Sequence, residues 1–182
     1  FTLGSSQAQW RYLETTARAC RLDVLKWLLA IGCEYHPCVS YRCAHHGDLL
    51  ALRHLQSLNL PFDDNILKAA TESGQWGVAE YLLELVPPTE RALNIACQRG
   101  YHDLAIWLFE KGAPASARTT ASCGLYGAIP ILKNLLSRGV AWTRTTLIMA
   151  EAKGHRDLVA WCVEQGIPDI TLREWEEQQK QA

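Results

Sequence analysis

The chain has 182 residues, 48% of them hydrophobic and 20% charged, with a net charge of -1. That is the balance of one globular domain with room for a substantial core. The near-neutral charge argues against a nucleic acid or an anionic membrane as partner, and no apolar run approaches the roughly 18 residues that span a bilayer. No basic start followed by an apolar core and cleavage site marks a signal peptide. Seven cysteines cannot all pair within one chain, so a reducing intracellular setting, cytoplasmic or nuclear, is expected.

The chain begins with Phe1, and Phe1-Thr2-Leu3-Gly4 reads as the tail of an earlier second helix. The expectation is a fragment of a longer chain with further repeats upstream. From there one unit recurs: a short helix, a tight turn, a longer helix and a brief loop. The first unit, 11–36, turns at Cys20, carries Trp27 seven residues later and stops at Gly32. The second, 37–63, turns at Gly47, with His54 in the tryptophan slot and Pro61 in the loop. The third, 64–90, turns at Gly74, carries Tyr81 and ends one residue early at Val86-Pro87-Pro88. The fourth, 91–116, turns at Gly100, carries Trp107 and stops at Gly112, with Pro114 after it. The fifth, 117–143, turns at Gly127, carries Asn134 and stops at Gly139; Pro130 lies in the first turn of its second helix, where proline is tolerated. The sixth, 144–170, turns at Gly154, carries Trp161 and stops at Gly166, followed by Pro168. The polar stretch 171–182 reads as a C-terminal capping helix.

The steps between turns are 27, 27, 26, 27 and 27 residues, and a fixed period of this size marks stacked repeats. Four and eight residues after each turn lie Val24/Leu28, Ala51/Leu55, Val78/Leu82, Leu104/Leu108, Ile131/Leu135 and Leu158/Cys162. That is the apolar stripe of a helix. Four before each turn sits a small residue: Thr16, Cys43, Ala70, Ala96, Cys123 or Ala150. Small side chains there let helices approach closely. Five glycines in six turn slots predict a left-handed backbone at that point. Asp23, Asp103 and Asp157 occupy first turns of second helices, where a carboxylate favours the helix dipole. One helix pair cannot bury its apolar faces alone, so neighbours must stack.

Alanine, glycine turn, aliphatic pair, leucine and closing glycine at these offsets resemble ankyrin repeats, over about Arg11 to Gly166. The resemblance is closest in the copies at Gly100 and Gly154. The usual ankyrin unit is about 33 residues, and only about five residues, such as Cys33 to Pro37, separate a closing glycine from the next helix. The missing length corresponds to the family's projecting β-hairpin finger. The expected fold is therefore an all-α solenoid of about six stacked helix-turn-helix units in a single domain, 1–182, with little or no strand. It is similar to the short, degenerate arrays of some protists and large viruses.

Candidate sites are few. Cys33, His36, Cys38, Cys43, His45 and His46 form the densest group of potential metal ligands. No two cysteines there have the two-residue separation common in zinc sites, and Cys43 fills a core slot, so no metal is expected. Cys33 and Cys38 lie outside the core slots. Cys97 beside His102 is the one nucleophile-base candidate, and packing explains Cys97 better. No phosphate loop, nucleophile elbow or dinucleotide fingerprint is present, so neither catalysis, cofactor nor small-molecule substrate is expected. Trp27, Trp107 and Trp161 read as packing between repeats. Trp142 in a loop and Trp175 in the polar tail have no repeat-imposed role and are candidate exposed anchors. The residues one or five before the turns include Arg42, His46, Arg99, Tyr126 and Lys153, a mildly basic stripe on the face where ankyrin-like stacks are concave. These features, with the resemblance, point to a protein-binding scaffold, adaptor or subunit. The alternative is the recognition module of a multidomain enzyme or nucleic-acid-associated protein whose active part lies elsewhere.

Overall fold

The computed structural model describes residues 6–165; the upstream helix tail, Gly166, Pro168, Trp175 and the expected cap over 171–182 lie outside the described residues. The described chain is helical and contains no strand. It divides into two compact units, one ending at Pro88 and the other beginning at Thr89. The division falls at the one short step in the repeat.

The first unit holds α1 (Ser6–Arg18), α2 (Leu22–Ala30), α3 (Cys38–His46), α4 (Leu49–Ser57), α5 (Asp64–Glu72) and α6 (Trp76–Leu83). The second holds α7 (Glu90–Arg99), α8 (His102–Glu110), α9 (Ala117–Tyr126), α10 (Ile129–Ser137), α11 (Arg144–Lys153) and α12 (Arg156–Glu164). Within each unit, consecutive odd-numbered helices pack in one row, and the even-numbered helices form the second layer. The expected contrast of a short first and a longer second helix does not hold. From α3 onward the first helices have 9 or 10 residues and the second helices 8 or 9. Two chain reversals fall between each turn residue and its closing glycine, and they leave only nine positions for helix.

Both reversals have the same chemistry. The six turn residues have φ of +50° at Cys20 and +68° to +79° at the glycines. The residue after each turn donates its N–H to the carbonyl of the small slot: Arg21 to Thr16, Asp48 to Cys43, Gln75 to Ala70, Tyr101 to Ala96, Ala128 to Cys123 and His155 to Ala150, at 2.8–3.0 Å. This left-handed reversal satisfies carbonyls that a helix end leaves open. The second helices close likewise, with Cys33, Leu60, Ala113 and Val140 donating to Leu28, Leu55, Leu108 and Leu135 at 3.0–3.2 Å. An apolar residue at that donor position packs back on the helix. Cys33 is therefore 5% exposed, a core residue after all, like Ala113 at 3% in the same slot.

Cys20 and Asn59 adopt φ of +50° and +54° with a Cβ present. Cys20→Gly is expected to raise stability by roughly 0.5–1 kcal/mol. Asn59→Gly should give less, because asparagine tolerates this region. Urea midpoints of the two variants check the order.

The core follows the sequence pattern. Leu55, Leu82, Leu108, Leu135 and Cys162 are fully buried in their shared slot, and Leu28 is nearly so. Each such burial is worth about 1.5–3 kcal/mol before chain entropy is charged against it. The small slots Cys43, Ala70, Ala96, Cys123 and Ala150 are all 0% exposed. Asp48, Asp63, Thr89 and Ser116 cap α4, α5, α7 and α9 through their side-chain oxygens. Ser116 also donates to Glu90 at 2.6 Å, and Thr119 does so at 3.1 Å, tying α9 to the start of α7.

Candidate protein-interaction surface

In the first unit the stripe residues are Arg42 and His46. Arg42 is held: its Nη2 and Nε reach Glu14 Oε1 at 2.9 and 3.0 Å, with side-chain exposures of 34% and 21%. Its guanidinium and the Lys68 ammonium each lie 5.9 Å from the centre of the Tyr41 ring, and the Tyr41 hydroxyl donates to Glu72 at 3.1 Å. His45 stacks on Tyr41, and His46 meets His45 edge-on at 5.2 Å. Loss of water, then His45, Arg42 and Arg18, lowers the His46 pKa below the usual histidine value, which favours its neutral form. This half of the stripe is less basic than its sequence: one cation is paired and the histidine is biased against carrying charge.

In the second unit Arg99, Tyr126 and Lys153 close the first helices α7, α9 and α11, and all three are exposed. Arg99 and Lys153 lie in last turns, where a cation gains about 0.3–1 kcal/mol from the helix dipole. Tyr126 is 38% exposed, and so is Tyr101, which follows the Gly100 turn. Sequence reasoning missed Tyr101. Its slot is the one after the turn, where Gln75 and His155 instead fold back onto an earlier turn glycine. A Cβ on Gly47 would lie 2.5 Å from Gln75 Oε1, and one on Gly127 would lie 2.8 Å from His155 Nδ1. His155 Nε2 is also 3.1 Å from the Leu125 carbonyl oxygen.

No family model and no curated protein matches this sequence. Among solved structures, the ankyrin repeat domain of human ASB11 is similar, with a TM-score of 0.57 over 71% of this chain and 69% of that one, at 23% identity. The fold is ankyrin-like. At that identity the likeness concerns the fold alone.

The ankyrin-like helix pairs here dispense with the hairpin finger, so their exposed side chains come from helices and turns. Other sequence candidates find structural roles. His36 accepts the Cys38 N–H on Nδ1 at 3.2 Å, and its ring lies 5.6 Å from that of Trp10. Cys33 and Cys43 are buried, while Cys38 is half-buried. Among the described residues no three histidine, cysteine or acidic side chains group closely enough to hold a metal ion. Cys97 is fully buried and receives the Cys123 thiol at 3.9 Å. That hydrogen bond, then burial, raises the Cys123 pKa. No helix among the described residues is long and apolar enough to cross a membrane.

The tryptophan slot is only partly a packing slot. Trp107 and Trp161 are half-buried, with Lys111 and Lys133 ammonium groups 5.8 and 5.3 Å from their ring centres. Arg53 lies over Tyr81 in the same slot at 5.6 Å. Both Lys133 and Arg53 come from the preceding second helix, six residues after its turn. Trp27, by contrast, is 59% exposed; no preceding second helix among the described residues lies over it. Trp142 is half-buried and not free-standing, in a cleft it shares with Trp161.

Proposed function

We propose that this ankyrin-like chain is a non-catalytic protein-interaction module, acting as an adaptor or as a subunit of a larger assembly in a reducing intracellular compartment. One observation carries the reading. Every turn repeats one backbone geometry, while the residue just before it changes from unit to unit: Ala19, His46, Ser73, Arg99, Tyr126, Lys153. A fixed scaffold with variable side chains at equivalent points is what a recognition surface needs. Tyrosine and arginine are the residue types that concentrate binding energy in protein interfaces. The second unit's edge, with Arg99, Tyr101, Tyr126 and Lys153, is the favoured contact, and an acidic or mixed protein surface is its complement. Arg42 and His46 contribute shape and stacking more than charge.

The test is affinity purification from native cells with quantitative mass spectrometry, run on the parent chain and on the R99E/K153E double variant. Both side chains are exposed, and the double variant should fold with only a modest loss of stability, chiefly the helix-dipole contribution of about 0.3–1 kcal/mol per site. A near-stoichiometric partner that the double variant loses, by about ten-fold or more in affinity, supports the reading. A partner retained equally by both forms removes this edge from the interface.

A further inference from the structure

Away from the turn edge, the second unit carries an open cleft of about 500 Å3 between the end of α10, the loop that follows it and α12. Trp142 and Trp161 are its aromatic walls, Leu136 and Val140 add apolar surface, and among the described residues Lys133 is the only charged side chain lining it. Trp142 lies fifteen residues after its turn; the same offset holds Tyr35 and Phe62 in the first unit and Ala115 in the second. The Tyr35 hydroxyl lies 2.8 Å from Ser40 Oγ and 3.2 Å from the Pro61 carbonyl oxygen, which ties that half-buried ring to its loop. Trp142, also half-buried, has no such polar partner among the described residues.

We propose that this cleft is a second docking site, which takes an extended peptide segment of a partner protein. An apolar side chain of that segment, proline or leucine in size, enters between the two indoles, and an adjacent aspartate or glutamate faces Lys133. Charge complementarity fixes the class. The Lys133 ammonium already lies 5.3 Å from the centre of the Trp161 ring, so a cationic ligand meets repulsion where an aromatic pair alone would attract it. Among the described residues no carboxylate lines the cleft beside that lysine, and an acid of the partner would pair with it. A half-wet tryptophan such as Trp142 ordinarily needs an acceptor for its indole N–H, and a peptide carbonyl is one. Aromatic-lined grooves bind extended segments in this way with little ordering cost. The inference rests on the protein-binding reading above but uses a different surface.

The experiment incubates the full chain, and its W142A, W142F, K133E and R99E/K153E variants, with an array of short random peptides. The expected result is capture of peptides with an apolar residue beside Asp or Glu. W142A should weaken them by about ten-fold or more, while W142F retains most binding. K133E should move the selection toward Lys- or Arg-flanked peptides. K133E changes an exposed side chain, so it decides the matter even if W142A fails to fold. Equal capture by the parent, W142A and K133E overturns the proposal. So does capture that appears only after residues 166–182 are deleted, which assigns the cleft to the chain's own C-terminal segment. Loss of capture in R99E/K153E alone leaves protein binding standing and the cleft proposal refuted; no capture by any form refutes the cleft proposal, and the native-cell purification then judges the turn edge separately.

Discussion

Gly124→Ala is expected to destabilise the second unit by about 2–3 kcal/mol. Adding a methyl to a helical glycine ordinarily helps, by about 0.5–1 kcal/mol, because alanine has less backbone freedom to lose. Here the sign reverses. Gly124 lies inside α9, and a Cβ would sit 2.1 Å from the Thr146 carbonyl oxygen and 2.9 and 3.0 Å from the carbon atoms beside it. These are backbone atoms of α11, so no rotamer change relieves the overlap. The two helices must separate, and Cys123, Leu147 and Ala150 with them, all now fully buried. Gly77 provides the contrast. It lies in α6 with nothing within 4 Å of a built Cβ, so Gly77→Ala should raise stability by up to about 1 kcal/mol. Urea midpoints of the two variants, moving in opposite directions, check both. If Gly124→Ala melts like the parent, the close approach of α9 and α11 is wrong.

The second large effect is alkaline. Burial first, then Asp48 and Cys20, pushes the Cys43 thiol up from 9.0 to about 12. In the unfolded chain the same thiol ionises at its ordinary value. Below pH 9 both states keep the proton and the contribution of Cys43 to stability is whole. Between pH 9 and 12 only the unfolded state releases it, so stability falls as the pH rises. At about 1.4 kcal/mol per pKa unit the loss across that window is about 4 kcal/mol. Cys123 acts in the same direction, since its pKa is raised too. Cys43→Ala installs the residue that Ala70, Ala96 and Ala150 carry in the same slot. The variant should show a shallower fall between pH 9 and 12, whatever small deficit it has below pH 9. Urea midpoints of parent and variant on either side of pH 9 measure this. Parallel pH profiles would mean that Cys43 ionises without opening the core.

These two residues also show where the sequence was legible and where it stopped. Cys43 shares a slot with Ala70, Ala96 and Ala150, and periodicity alone marks it as core. Periodicity likewise locates every turn, because a left-handed reversal admits few residue types and glycine announces it. Gly124 has no such signal. Its Cβ is excluded by one carbonyl on another helix, a fact of tertiary approach that no spacing encodes. Cys33 was misplaced for an intermediate reason. The closing reversal needs an apolar residue after its left-handed residue, and Cys33, Leu60, Ala113 and Val140 form that column, but it is visible only once the hydrogen-bond pattern of the reversal is considered. The candidate surface was less legible still. Arg42 and His46 read as basic until Glu14, His45 and Arg18 are seen around them, whereas Arg99, Tyr126 and Lys153 lie exposed as their slots imply.

The reversals at both ends of each helix pair have a consequence for how such a chain changes over generations. All six segments close their first helix through the small-slot carbonyl, and four of them close their second helix through the leucine carbonyl. A duplication or deletion of one whole segment therefore keeps these closing backbone bonds and breaks no sheet among the described residues. The fit between neighbouring helix faces, and side-chain bonds such as Ser116 to Glu90, must be restored. A chain of this kind can lengthen or shorten by copying errors in its gene, and each added segment brings one more adjustable side chain before a turn. The single omitted residue at Val86-Pro87-Pro88 is the kind of mark that an imperfect join of two shorter arrays would leave.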